Sequence, residues 1–351
     1  MQPGNDGSPR NVIAAFREAL YSLDDTGARA ALRAVAAPDA VFHHCHPFGD
    51  LIGPDAFFDQ AIAPLAAAMP DLERRDFILI TGDTAKGATW VGCAGYYMGT
   101  FARPWMGIPA TGHLAAMRYH EYFRIENGMI VEFQAIWDLP ELMMQAGVWP
   151  MVPSLGRDWQ VPAPATQDGI ANGARDPDES AASRQLVLDM LTAMSRHPSE
   201  GGPDVMEMDR FWHPHMNWYG PAGIGTARGI AGFRKWHQIP FLSAMPDRGQ
   251  HSDGLVAHFF AEGQYVGVTG WPDMRQTLSH AGWLGLPPVD KMITLRSLDF
   301  WRLENGLIRE NWVTVDLLDA WRQLGVDVFA RLREFNKTRV AGSIGFPVGD
   351  V

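Results

Sequence analysis

Apolar residues at Val12, Ile13, Phe16, Ala19 and Leu20 recur at the spacing of a helix that buries one face, and residues 186–194 repeat the pattern. Each of these stretches leads to a short segment ending at an aromatic, residues 39–43 and 215–219. A second helical stretch follows at 53–69 and again at 229–245. Both close on Ala-Met-Pro-Asp, at Ala68–Asp71 and Ala244–Asp247. The patterning then turns to strands, at 77–80 and 88–97 in the first half and at 255–260 and 265–269 in the second. A strand, an Asn-Gly pair and another strand come next, the strongest short-range signal for a hairpin. A last helix starts at Asp138 or Asp316 and stops at Gly147 or Gly325, where glycine supplies the left-handed residue after a helix.

The chain is therefore one pattern written twice. Residues 107–148 align with 285–326 without a gap, at an offset of 178 residues. A repeat this long is a domain rather than a solenoid unit. The spacing predicts domains at 10–150 and 181–337, a Pro- and Gly-rich linker at 151–180 and a tail at 338–351. Each domain reads helix, helix, strands, helix. This is an α+β order in which about three helices pack on one face of a curved antiparallel sheet.

The hairpin sets which side chains share a face. With Asn127-Gly128 as a two-residue turn, Phe123 faces Glu132, Glu121 faces Gln134 and Tyr119 faces Ile136. In copy two Trp301 faces Glu310, Asp299 faces Trp312 and Ser297 faces Thr314. Alternation carries Asp138 and Asp316 onto the same sides. Each copy then presents two carboxylates among aromatics, Glu121 with Asp138 and Asp299 with Asp316. Desolvation and like charge both raise a carboxylate pKa, which poises an acid/base near neutrality. Asp138 and Asp316 have a second reading as helix N-caps, since Glu141 and Asp319 follow at the capping-box spacing. Cap and catalyst both stand at this point. Arg118, Arg296, Arg124 and Arg302 fall on the opposite face, available for structure or for contact between copies.

The 13 Trp and 17 Met in 351 residues suit either large cores or an apolar pocket. Trp312 stands where copy one has Gln134, and Trp271, Trp283 and Trp301 add to it, so the pocket of copy two is expected to be the more aromatic. His43-His44-Cys45-His46 has the look of a metal cluster, but adjacent strand residues point to opposite faces and no second cluster accompanies it. No metal site is expected. His43 and the aligned Tyr219 read instead as pocket polar groups or as strand-end residues, and His258 is the scattered histidine placed on a strand. Net charge is −11 with pI near 5.5, which argues against nucleic acid. Two cysteines, Cys45 and Cys93, give no disulfide framework. No secretory signal opens residues 1–6 and no apolar run has membrane-spanning length, so a soluble cytoplasmic protein is the expectation.

The block Phe-Arg-x-x-x-Gly-x-Ile-x-Glu, followed six residues on by Asp and then by Gln-x-Gly-Val, resembles the SnoaL-like polyketide cyclases. So does Gly107-Ile108-Pro109-Ala110-Thr111-Gly112. The resemblance implies two cystatin-like cone or roll domains of the nuclear transport factor 2 superfamily, each enclosing a pocket. It implies aldol-type chemistry without a cofactor, with the acid/base at Asp138 and Asp316 and a second titratable group at Glu121 and Asp299. The family's usual unit is a single domain that dimerises. The fused copies are expected to pack as an intrachain pseudo-dimer, and a homodimer of the fused chain is compatible with this. The loops holding Trp105 and Trp283 depart from the family pattern and would line the pocket mouths. The expected partner is a small apolar carbonyl substrate, handled through an enolate. The alternative is a non-catalytic protein that binds small molecules in the same pockets.

Overall fold

Copy one places its elements in the expected order in a computed structural model that describes residues 8–22, 24–170 and 173–342. It runs α1 (Ala14–Tyr21), α2 (Asp25–Val35), β1 (Ala36–His44), β2 (Gly49–Ile52), α3 (Gly53–Phe57), α4 (Ala63–Ala68), β3 (Glu73–Asp83), β4 (Thr89–Thr100), β5 (Leu114–Glu126), β6 (Met129–Trp137) and α5 (Leu139–Gln145). Copy two follows with α6 (Pro177–Met194), α7 (Met208–Phe211), β7 (Trp212–Tyr219), β8 (Ala227–Arg228), α8 (Gly229–Phe233), α9 (Ile239–Ala244), β9 (His258–Glu262), β10 (Tyr265–Thr269), β11 (Met274–Leu278), β12 (Lys291–Leu295), β13 (Ser297–Glu304), β14 (Leu307–Val315) and α10 (Leu317–Gln323). A final helix, α11 (Val328–Gly342), continues past the expected start of the tail. The tail from 343 onward and the opening residues 1–6 lie outside the described residues. Helix α2 has no counterpart in the sequence expectation.

The chain forms two tandem α+β domains. Each holds a six-stranded mixed sheet, ordered β2-β1-β6-β5-β4-β3 and β8-β7-β14-β13-β10-β9. In both, the strand after the first helices lies parallel to the last strand, and the other pairings are antiparallel. The Asn-Gly turns form as expected. Asn127 and Gly128 have φ of 51° and 74°, and Asn305 and Gly306 have 53° and 75°. Left-handed values at both turn positions are what a two-residue hairpin needs.

The register departs from the expected one two pairs beyond each turn. A bulge sets Arg124 opposite Glu132 after Ile125 opposite Ile130, and Arg302 opposite Glu310 after Leu303 opposite Ile308. One extra residue reverses the side-chain parity of everything beyond it. Glu121 therefore faces Ala135, not Gln134, and Tyr119 faces Trp137. Asp299 faces Val313, not Trp312, and Ser297 faces Val315. Gln134 and Trp312 turn to the other side of their sheets.

On that other side the two sheets meet. The Tyr122 ring stacks on Phe300 at 5.0 Å, and its hydroxyl donates to the Asp299 carbonyl at 2.6 Å. Thr269 donates its hydroxyl to the Gln134 side chain. Arg118 crosses the interface and donates to the carbonyls of Tyr219, Gly220 and Val313 at 2.8–3.1 Å. The contacts are reciprocal, as a pseudo-twofold requires. The Ala222 N–H donates to Asp138 at 2.9 Å, and the equivalent His46 N–H donates to Asp316 at 3.0 Å. The linker lies across both copies: Tyr96 donates to the Val161 carbonyl, Trp312 to the Pro162 carbonyl and the Leu79 N–H to the Gly169 carbonyl.

The copies differ most along one strand pair. In copy one, β3 pairs with β4 from Glu73 to Asp83 without interruption except for one bulge. In copy two the counterpart of β4 is cut in two, β10 and β11, at Gly270-Trp271-Pro272-Asp273. Proline cannot donate to a sheet ladder, and the cut falls at Pro272. Its partner shortens to His258–Glu262, and residues 247–257 leave the sheet as a loop. No helix among the described residues is long and apolar enough to cross a membrane.

Candidate active site

The inner faces of the two domains carry equivalent positions with different side chains. In copy one they are filled. Glu121 is buried and accepts from Arg74 at 2.5 Å, from the Trp137 indole at 2.9 Å and from the Tyr97 hydroxyl at 3.0 Å. Tyr119 packs against Tyr97 at 4.7 Å, lies under the Arg74 guanidinium and donates to Asp76 at 2.6 Å. Glu121 is thus held by a buried guanidinium and two further donors and is surrounded by side chains.

Copy two has Ser297 where copy one has Tyr119, Val315 where it has Trp137, and Asn311 where it has Phe133. The smaller groups leave a cavity of about 300 Å³ between β13, β14, α6 and the 247–257 loop. Its walls are apolar and include Trp212, Trp218, Phe233 and Phe241, with Trp283 and Trp301 closing two further sides. Asp299 and Asp273 stand on its floor, with Arg248 opposite on the loop. The sequence reading named Asp299, Trp283 and Trp301 for this pocket. It missed Asp273, His237 and Arg248. Trp301 was expected on the Asp299 face, and it is there; Asp273 was signalled only by the proline inside a strand pattern.

Ser297 joins the two acids. Its N–H donates to Asp273 at 2.9 Å and its hydroxyl donates to Asp299 at 2.5 Å. Burial pushes Asp299 up to about 7, against the opposing pull of the Ser297 hydroxyl, Arg248 and Asn311. Burial also pushes Asp273 well above the usual carboxylate range, and the neighbouring Asp299 charge pushes it further. Both carboxyls keep some solvent access, through the cavity. His237 stacks on Trp218 at 4.0 Å and is held neutral, its pKa lowered to about 3 by burial and then by Arg248. Trp301 and Trp212 line this region, and each has a buried indole N–H with no hydrogen-bond partner among the described residues. Trp301 lies two residues from Asp299 on the same strand face, about 7 Å along the strand.

The remaining expected site residues lie elsewhere. Asp138 and Asp316 cap α5 and α10, accepting the Glu141 and Asp319 N–H groups. Each has its second oxygen taken by the other domain's backbone and by Arg118 or Arg296. Burial raises both, Asp316 to about 6, yet neither lines the cavity. Trp312, Gln134 and Tyr219 belong to the face between the sheets, because the bulge reverses β6 and β14. Tyr219 packs on Trp312 at 5.3 Å and donates to Glu310. His43 pairs with Asp50 at 2.7 Å and stacks on Trp271 of the other copy. His258 packs on Trp90 of the other copy, outside the cavity. Trp105 closes a loop against Ile108 beside Phe48. His43 and His44 diverge as strand alternation requires, and His46 lies in the turn beyond β1. His44 is buried against Phe48 and Trp137, and His46 meets α11 at Phe329. Among the described residues no three His, Cys, Asp or Glu side chains are grouped to hold a metal.

Two mixed sheets wrapped by helices, one around an open acidic pocket, define a tandem protein of nuclear transport factor 2-like fold. The profile of the SnoaL-like polyketide cyclases matches residues 11–146 and 189–324, and the chain belongs to that family. Similar solved structures are single copies. IdmH from Streptomyces antibioticus is 26% identical with a TM-score of 0.34, over 40% of this chain and 99% of its own. TsrD from Streptomyces laurentii is 22% identical with a TM-score of 0.33, over 41% and 98%. An NTF2-like protein from Burkholderia thailandensis E264 is 23% identical with a TM-score of 0.31, over 40% and 97%. A comparison with curated proteins finds no match.

Proposed function

We propose that the chain is a cofactor-independent acid/base enzyme that enolises a small apolar carbonyl compound, with its chemistry confined to the cavity of the second domain. The observation that carries this reading is Asp299, a carboxyl poised near neutrality on the floor of a 300 Å³ apolar cavity. The ionised Asp299 takes the proton from the carbon next to the carbonyl. The C–H electron pair becomes a carbon–carbon double bond, and the carbonyl π pair moves to oxygen. A turn of the Trp301 ring, whose covered indole N–H has no partner among the described residues, brings that donor to the oxygen as its charge develops. Asp273, kept protonated by burial and by Asp299, lets the pair hold one charge rather than two. Return of the proton, elimination or attack on a second carbonyl all follow from this enolate, which covers cyclisation, isomerisation and dehydration. In this reading Glu121, Asp138 and Asp316 have structural roles, and the first domain serves as the partner that a single-copy relative would find in a second chain.

The test is deuterium uptake next to the carbonyl of β-tetralone and its bicyclic aryl-ketone homologues, followed by proton NMR in D2O. Val315→Trp restores the side chain that fills copy one. At about 0.3 kcal/mol per ligand atom, excluding roughly five atoms weakens ketone binding by about tenfold or more. Exchange above the buffer rate in the wild type, lost in Val315→Trp with the melting temperature maintained, is the expected result. Ketones that bind the wild type, by quenching of tryptophan fluorescence, without exchanging would show a binding protein instead.

A further inference from the structure

Arg248 is a cation inside an apolar cavity without a partner. Its guanidinium lines the space, and among the described residues no side-chain hydrogen bond or ion pair engages it. Other arginines drawn into the interior are paired: Arg74 with Glu121 and Asp76, Arg118 with Asp138, Arg302 with Glu310. Two other basic side chains on the cavity lining are engaged. Arg275 donates to the Asp253 carbonyl at 3.1 Å, and His251 contacts Asp247 at 3.2 Å. Arg248 is half-buried, and a guanidinium partly screened from water gains from binding an anion; burial lowers its pKa. Asp273 and Asp299 face it across the cavity without reaching ion-pair contact. The space between the guanidinium and the two acids is thus bounded by the fork of Arg248 N–H donors on one side and by two carboxyls on the other.

We propose that Arg248 binds a carboxylate carried by the ligand, so that the compound taken by this cavity is an apolar keto acid rather than a neutral ketone. This rests on the cavity being the ligand site, but not on Asp299 acting as base. A carboxylate matches the guanidinium fork in shape, gives it the partner it lacks and leaves the rest of the molecule against Trp218, Trp283 and Trp301. Because burial holds Asp273 and, below neutrality, Asp299 uncharged, the floor does not repel the anion.

The experiment is calorimetric binding of 2-naphthoate and of its neutral isostere, methyl 2-naphthyl ketone, to the full chain at pH 6. The wild type is expected to bind the carboxylate about tenfold or more tightly than the ketone, as a charge-assisted pair provides. Arg248→Met is expected to lose that preference while binding the ketone within about twofold of the wild type, which also shows that the variant's cavity is intact. Arg248→Lys is expected to recover part of it, having charge but no fork. Equal affinities in the wild type, or a preference that survives Arg248→Met, overturn the assignment of Arg248 alone. Binding of neither compound overturns the reading of the cavity as the ligand site, and this proposal with it.

Discussion

Asp299→Asn is expected to abolish enolisation and to make the protein more stable at neutral pH. General-base catalysis contributes about 10²–10⁴ in rate, so exchange in the variant falls by that factor. The stability gain has the opposite sign from most buried substitutions. In the unfolded chain this carboxyl ionises near 3.8, and in the folded protein near 7. Between those values the native state keeps a proton that the unfolded state has released. Stability therefore falls as pH rises through this window and is flat above it. The full difference corresponds to about 4 kcal/mol, and solvent in the cavity reduces it to the order of 2–3 kcal/mol. Asparagine does not titrate and keeps an oxygen to accept from Ser297. Urea midpoints at pH 8 are expected to be higher for Asp299→Asn than for the wild type, and at pH 4 to coincide. A lower midpoint at pH 8 would mean that the ionised carboxylate is favourably bound, and the electrostatics of the site would need another account.

Arg74→Met is expected to produce the reverse pattern, a large loss of stability with turnover unchanged. Arg74 is fully buried and holds Glu121 and Asp76 together over the Tyr119 ring. Removing one partner of a buried pair leaves an uncompensated charge, typically at a cost of about 3–5 kcal/mol. Asp76 keeps Arg17 at 2.7 Å, but Glu121 keeps only its two neutral donors. Denaturant midpoints measure the loss. Adding Glu121→Gln, which removes the stranded charge, is expected to restore much of it. Deuterium exchange by the folded fraction tests the other half. If Arg74→Met abolished exchange without unfolding, the first domain would carry chemistry after all.

These two variants mark what the sequence made legible and what it did not. The duplication, the element order, the Asn-Gly turns and the family were all readable. Each rests on local pattern, and tertiary packing reinforces it. Pairing Asp299 with the Trp301 face was also readable, because both lie on one strand and alternation needs no partner. The faces of β6 and β14 were not. A single bulge after Ile130 and after Ile308 reverses them, and nothing in Val131 or Arg309 announces it. That one residue moved Gln134 and Trp312 from the expected pocket to the contact between sheets. It also separated Asp138 from Glu121 and Asp316 from Asp299. The cavity itself was latent in the alignment of the copies. Tyr119 against Ser297 and Trp137 against Val315 are large-to-small differences that matter only once both positions are known to face inward. Asp273 and Arg248 come from the segment where the copies diverge, the broken strand and the loop it releases, so no aligned partner pointed to them.

The preserved aspartates at 138 and 316 are kept by the interface. Each caps a helix and accepts a backbone N–H from the other copy, which explains identity at both positions without chemistry. Burial nevertheless brings Asp316 to about 6, close enough to Asp299 that pH dependence in the wild type alone would not separate them.

The pH dependence of deuterium exchange in the wild type, Asp299→Asn and Asp316→Asn therefore tests the central assignment most directly. The account predicts a wild-type rate that rises about tenfold per pH unit and levels near pH 7, where the Asp299 carboxyl ionises. It predicts the same profile for Asp316→Asn and a rate at background, without inflection, for Asp299→Asn. An inflection that persists in Asp299→Asn and vanishes in Asp316→Asn would contradict it and move the base to the helix cap.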